Sequence, residues 1–129
     1  MDAYLSTIEH LIRSCFVISG YRLNIERRTR DIAFIHGQID FIDTSSLDFK
    51  EFVEKTESGI EKYKYGYNYR QGSVVLFRYD NAPDPGARHL KSFPHHKHTE
   101  DGGIEESRFV SLPEIMDEIQ NIISKDWAF

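Results

Sequence analysis

The chain has 129 residues, 40% of them apolar and 29% charged, with a formal net charge of −5. That length suits one domain with a real hydrophobic core and is too short for two, and the acidic total argues against tight nonspecific nucleic-acid binding. A single cysteine, Cys15, excludes an internal disulfide, and without a run of about 18 apolar residues or a secretion-type N-terminus the expected location is the cytoplasm, with no membrane contact.

The charge is unevenly spread. Residues 1–59 carry 7 basic and 10 acidic groups, residues 60–98 carry 7 basic and 3 acidic, and residues 99–129 carry 2 basic and 8 acidic. A basic middle beside an acidic end can hold a short stretch of phosphate backbone, or the two can compensate one another within one fold.

Apolar residues at Tyr4, Leu5, Ile8, Leu11, Ile12 and Cys15 form a one-sided stripe that predicts a helix over about 3–14, with Asp2 as a plausible N-cap. From Phe16 to about Arg28 the period changes to that of a strand, with Gly20 as a bulge and Arg27–Asp31 as a basic turn. Ile32–Asp43 alternates at each end and is broken at Gly37, and Asp43-Thr44-Ser45-Ser46 is turn chemistry. In Leu47–Glu54 the apolar face holds Leu47, Phe49 and Val53 together with Glu51, a carboxylate that must find a partner or face a site.

Glu61–Arg70 predicts a strand with Tyr63, Tyr65, Tyr67 and Tyr69 on one face and Lys62, Lys64, Asn68 and Arg70 on the other. Such a tyrosine ladder is either a half-buried face under a helix or a platform for stacking bases. After Gln71-Gly72, Ser73–Asp80 returns as a hairpin partner, apolar on both faces until it ends in Arg78 and Asp80. Residues 81–94 form a proline-rich loop and Thr99–Glu106 an acidic, glycine-containing one, with a short last strand at Arg108–Val110. Ser111-Leu112-Pro113-Glu114 is a capping-box signature, and Ile115, Met116, Ile119, Ile122 and Ile123 repeat the stripe of the first helix, with Trp127 and Phe129 folding back. The expected fold is α+β: an antiparallel sheet of about five strands, largely a meander, with the N- and C-terminal helices packed on one face.

Between Phe77 and His98 lie four of the six histidines (His89, His95, His96 and His98), with Arg78, Asp80 and Lys97. If 95–98 is extended, His96 and His98 share one side at a Cα separation of about 6.5 Å. Three chemistries compete. His96 and His98 with Asp80 or His89 can hold Zn, Ni or Fe, although no HExxH, cysteine cluster or facial-triad pattern is present. Metal-free phosphodiester cleavage would use histidines as base and acid, Arg78 and Lys97 as cations for the phosphorane-like charge, and Asp80 or Glu51 to orient them. In a structural corner, Arg78 and Asp80 merely pair. No G-x-S-x-G, Walker or GxGxxG pattern supports another class.

At FRYDNAP followed by FPHHKH the chain resembles the TumE family, the toxin component of toxin–antitoxin pairs. The likeness extends over GQIDFIDTSSLDFKEFV, YKYGYNYR, RYDNAP at 78–83, PHHKH at 94–98 and the final helix. It implies a small α+β toxin, suspected of ribonuclease action, and a helix-turn-helix antitoxin encoded beside it; among the competing chemistries the metal-free one, with no cofactor, is the expectation adopted. Carried over residue by residue, the motif positions are Glu51, Tyr65, Arg78, Tyr79, Asp80, His96, Lys97 and His98. Of these, Glu51, Tyr65, Arg78, Asp80, His96, Lys97 and His98 are the candidate catalytic residues. Arg78, Tyr79 and Lys97, with Lys62 and Lys64, are the candidate RNA contacts. Asp84-Pro85 departs from the histidine pair that relatives often carry in that loop. A noncatalytic RNA- or protein-binding module is the competing class, and a homodimer is one of the oligomeric states left open.

Overall fold

The computed structural model describes residues 1–127. Helix α1 (Asp2–Ser14) is followed by strands β1 (Ile18–Arg27), β2 (Ile32–Phe41), β3 (Ser45–Thr56), β4 (Gly59–Gln71), β5 (Val74–Asp80), β6 (His96–Thr99) and β7 (Ile104–Glu106). Helix α2 (Leu112–Trp127) closes the described chain. The strands form one sheet in the order β1-β2-β3-β4-β5-β6-β7, each pairing antiparallel with the next. The α+β architecture and the meander agree with the sequence, but the strands number seven, not about five.

The two extra strands are the shortest. β6 has 4 residues and β7 has 3, too few to show a period of two, and both are rich in charge. Arg108–Val110, expected as the last strand, is not in the sheet; the chain pairs earlier, at Ile104–Glu106, inside what reads as an acidic loop. β5 was expected to be covered on both faces. Val74, at the hairpin end, is instead 51% exposed, and Val75, opposite Arg70 on the open face, is 37% exposed because both helices lie on the other side.

That side carries the core. Leu5, Ile8 and Ile12 of α1, with Ile115, Met116, Ile119 and Ile123 of α2, pack in one cluster against Ile35, Leu47, Val53, Tyr67, Tyr69 and Phe77 of the sheet. The amphipathic stripes predict this, since a helix with one apolar face is stable in water only when a partner covers it. The amide of Gln120 bonds the sulfur of Cys15 at 3.1 Å and ties α2 to the end of α1. Asp2 is the first residue of α1 and not its cap; its carboxylate pairs with Arg27 of β1. At α2, Ser111 and Glu114 do meet, hydroxyl to carboxylate, at 3.1 Å. The fold-back expected of Trp127 and Phe129 concerns side chains outside the described residues. No described helix is long and apolar enough to cross a membrane.

Gly37 does not interrupt its strand. β2 runs straight through it, and a Cβ there would sit on the carbonyl oxygen of Arg22 in the neighbouring strand. The tyrosine ladder is broken by a bulge where Phe52 and Val53 face Lys64 and Lys62. The extra residue turns Tyr63 outward, to 53% exposed, and swings Lys62 onto the covered face in its place. Tyr65, Tyr67 and Tyr69 are fully buried under the helices, so most of the ladder is core.

Candidate functional site

Strand pairing decides which candidate residues can meet. Gly66 faces Asp80, and Asp80 faces His96; one step along, Asn68 faces Arg78 and Arg78 faces His98. Side chains directly opposite in a ladder share a face, so Arg78, Asp80, His96 and His98 gather on the side of the sheet the helices leave open. The proline-rich loop between the two segments returns the chain in register.

Asp80 and His96 are 3% and 1% exposed. The Nδ1 of His96 lies 2.8 Å from the carbonyl oxygen of Pro94 and must donate there, which leaves the lone pair of a neutral ring on Nε2. That Nε2 is 3.1 Å from Nε2 of His98 and 3.2 Å from Oδ1 of Asp80. In the neutral pair His98 is therefore the donor, and its Nδ1 is the basic nitrogen. Oδ1 of Asp80 also accepts from the backbone N–H of Ala82 at 3.0 Å. Oδ2 has the Arg78 Nε at 3.0 Å, but out of line for a hydrogen bond, and no hydrogen-bond partner among the described residues. The side chains of Arg78 and His98 are 49% and 27% exposed, so these two reach solvent while Asp80 and His96 support them. Burial, then the neighbouring His96, holds the His98 imidazole below its ordinary range, with Asp80 opposing.

Asn81 locks this strand end. Its side-chain oxygen accepts from the N–H of Tyr65 at 3.0 Å and its amide donates to the carbonyl of Tyr63 at 3.1 Å, extending the β4–β5 pairing by one side chain.

The other candidates lie on the opposite, helix-covered face. Glu51 is fully buried; it accepts from the hydroxyls of Tyr4 and Tyr67, the latter at 2.5 Å. Lys62, with a side chain only 6% exposed, donates to the Tyr67 hydroxyl at 2.6 Å and the Val110 carbonyl at 2.5 Å and lies 3.9 Å from Glu51. Burial depresses its pKa, against the pull of Glu51 and Glu114. The placement of Lys62 among surface RNA contacts is thus corrected by the bulge: its ammonium is enclosed by Tyr65, Tyr67 and Phe109 at 4.7–5.0 Å. Tyr65 stacks on His95 and its hydroxyl lies 2.9 Å from Nδ1 of that ring. Tyr79 donates to Glu118 of α2 at 2.7 Å, and Lys97 lies 3.5 Å from the same carboxylate. Lys64 alone joins Arg78 on the open face, its ammonium 5.5 Å from the Phe52 ring centre.

The covered tyrosines supply a test. Burial first, then Glu51, raises Tyr4 and Tyr67; burial and then Glu118 raises Tyr79; burial and then Asp80 pushes Tyr65 up to about 12. Phenols raised above their unfolded value of about 10 stabilise the fold below that pH, and the contribution is lost as pH rises through the folded values. A phenolate absorbance titration should leave these four un-ionised at pH of about 11, with alkaline unfolding accompanying their release. Their ionisation in a chain that stays folded would contradict the packing.

Two groups on the open face have no signal in the sequence. Lys50 faces Gly66 across the β3–β4 ladder, its stem close to where a Gly66 Cβ would stand, with the Asp80 Cβ on the far side. It forms no ion pair among the described residues and lines a groove with Arg22, Phe34, His36, Asn68 and Arg78. The ring centres of Phe34 and Phe52 are 4.2 Å apart beside it. Asp84, in the proline-rich loop, reaches to 3.9 Å from Nε2 of His98 and fixes its own turn by accepting from the N–H of Gly86. Lys50 was hidden because it lies some thirty residues before the charged cluster in a strand of mixed pattern, and only register brings it near.

Comparison with known proteins links the chain to a protein family. No curated protein and no solved structure matches the chain. The family described as Toxin TumE matches residues 8–125, from the first helix to the last and across every strand of the sheet, and the chain belongs to that toxin family.

Proposed function

We propose that this chain is the toxin of a toxin–antitoxin pair and acts as a metal-independent ribonuclease at Arg78, Asp80, His96 and His98. The observation that carries this is the paired imidazoles, one sealed and one at the surface, between a buried carboxylate and a half-exposed guanidinium. His98 takes the 2′-hydroxyl proton on its basic nitrogen while its Nε2 proton moves toward His96, whose charge Asp80 balances. The 2′-oxygen attacks phosphorus, the bond to the 5′-oxygen breaks, and the proton held by the imidazole pair is returned to that leaving oxygen. Arg78 and Lys50 face the negative charge that develops on phosphorus. His96 and Asp80 are positioning residues in this scheme, and the groove beside Lys50, lined by Phe34, whose ring is itself backed by Phe52, receives the flanking bases.

Of the residues across the sheet, Glu51, Lys62, Tyr65, Tyr79 and Lys97 serve the core and the seat of α2 in this proposal. A toxin family entails an antitoxin; we take the partner to be a helix-turn-helix protein encoded beside the toxin. The test is to induce the wild type and His98→Ala without antitoxin and follow growth and total RNA. Growth arrest with RNA loss in the wild type alone is expected. Equal toxicity from both, or intact RNA during wild-type arrest, would sink the catalytic proposal and leave a noncatalytic binding module.

A further inference from the structure

We propose that Asp80, His96 and His98 bind a transition-metal dication of the zinc class, and that the bound ion quenches the acid–base chemistry of the two histidines. The first half stands on geometry alone, and the second rests on the ribonuclease proposal above.

Four observations converge on the site. One ligand atom from each of the three residues lies within 4.8 Å of the others. The contacts are 3.1 Å between the two Nε2 atoms, 3.2 Å from His96 Nε2 to Asp80 Oδ1 and 3.8 Å from His98 Nε2 to Asp80 Oδ2. A tetrahedral zinc with bonds of 2.0–2.1 Å has ligand atoms about 3.3 Å apart. The two imidazole nitrogens already stand near that separation. With a single Asp80 oxygen as ligand the set, within 4.8 Å as it stands, must draw in by up to about 1.5 Å, which the part-exposed His98 can supply. His96 is already set as a ligand: Nδ1 donates to the Pro94 carbonyl, the outer contact that fixes the tautomer and turns the Nε2 lone pair inward.

The carboxylate is also short of hydrogens. With His96 neutral, its Nε2 lone pair accepts from His98 and no proton of that ring points to Oδ1 of Asp80 at 3.2 Å, while Oδ2 is buried without a hydrogen bond, with the ion-paired, half-exposed Arg78 as its nearby cation. A proton on Nε2 relieves the first and leaves the second. A dication relieves both.

The donors select the ion. Two imidazole nitrogens and one carboxylate suit zinc, nickel or iron, whereas magnesium demands near-octahedral oxygen ligation. Entry lies on the side of His98 and Arg78, which are part-exposed, and Asp84 at 3.9 Å from His98 is placed to complete the set. Arg78, the cation now nearest Oδ2, is half in solvent and free to swing away. Coordination takes the lone pair of His96 Nε2 and shifts the His98 proton from Nε2 to Nδ1, so the nitrogen that would take the 2′-hydroxyl proton is already protonated and the proton path between the rings is closed.

The experiment uses the untagged chain, stripped with a chelator and titrated calorimetrically with Zn²⁺ and, separately, Mg²⁺. One Zn²⁺ per chain at micromolar or tighter affinity is expected, with no Mg²⁺ response. His98→Ala, at the part-exposed ligand, should weaken zinc at least tenfold with an unchanged circular dichroism spectrum. Asp80→Asn supplies a second variant should that one misfold. No zinc uptake, or equal uptake by folded His98→Ala and Asp80→Asn, overturns the site. Cleavage of a synthetic RNA by the same samples separates the two proposals. Faster cleavage by the stripped chain supports quenching. Faster cleavage by the zinc-loaded chain overturns quenching and metal independence while supporting the site. No cleavage by either overturns the ribonuclease proposal and, with it, quenching, while zinc uptake still supports the site.

Discussion

Arg78→Ala should lower the rate of RNA cleavage by about 10²–10³-fold, the range seen when one preorganised group facing transition-state charge is removed. The loss should appear in kcat more than in KM, because the guanidinium meets charge that develops during reaction. The fold should survive, since the side chain is 49% exposed and its link to Asp80 is an ion pair that no aligned hydrogen bond reinforces. Arg78→Lys should recover part of the rate, keeping the charge but not the guanidinium geometry. Lys97→Ala is the internal contrast. Adjacent to both histidines in sequence, Lys97 lies 5.0 Å from the Tyr79 ring and 3.5 Å from Glu118, on the helix-covered side. Its loss should leave the cleavage rate within about threefold and lower the melting temperature slightly, as for a part-exposed ion pair. The opposite ranking, with Lys97 essential and Arg78 dispensable, would move the chemistry to the helix side. A loss of rate in Arg78→Ala that tracks lost circular dichroism would make it a structural partner of Asp80.

The contrast between Arg78 and Lys97 also shows what one chain of letters can reveal. Period-two alternation put Arg78 with Asp80 and His96 with His98, and the structure agrees, because within a strand the face of a residue follows from parity. Which parity of one strand meets which of the next is set by register. Here register put Lys97 and Tyr79 with Glu51 on one face, and Lys50 with Asp80 on the other. A single bulge at Phe52/Val53 then exchanged Tyr63 and Lys62, and no composition rule announces such an insertion. The helices were legible because their stripes are long; β6 and β7 were not, because 4 and 3 residues cannot display a period. The family resemblance carried the motif residues without saying which side of the sheet each would take.

Glu51→Ala should destabilise the fold by roughly 3–5 kcal/mol, lowering the melting temperature by about 10–20 °C. The cost comes less from the carboxylate than from what it leaves behind. Lys62 would remain a cation whose side chain is 6% exposed, left with the Tyr67 hydroxyl, the Val110 carbonyl and the faces of three aromatic rings but no described carboxylate in ion-pair range. The hydroxyls of Tyr4 and Tyr67 would also lose their acceptor, two further buried donors without partners. Glu51→Gln keeps one carbonyl oxygen for a tyrosine and should cost less. Replacing both charges, as Glu51→Leu with Lys62→Met, should recover much of the stability lost by Glu51→Ala, because a buried ion pair exchanged for apolar groups of similar volume is often near neutral. Thermal and urea denaturation of the two singles and the double form the cycle that measures the coupling. Additive losses, with no recovery in the double, would mean that Glu51 and Lys62 are not energetically joined. A Glu51→Gln protein that melts like the wild type yet no longer cleaves RNA would return Glu51 to the reaction. Short of that result, the carboxylate and its two tyrosines are the polar clamp that fixes α1 and the chain before α2 to the middle of the sheet.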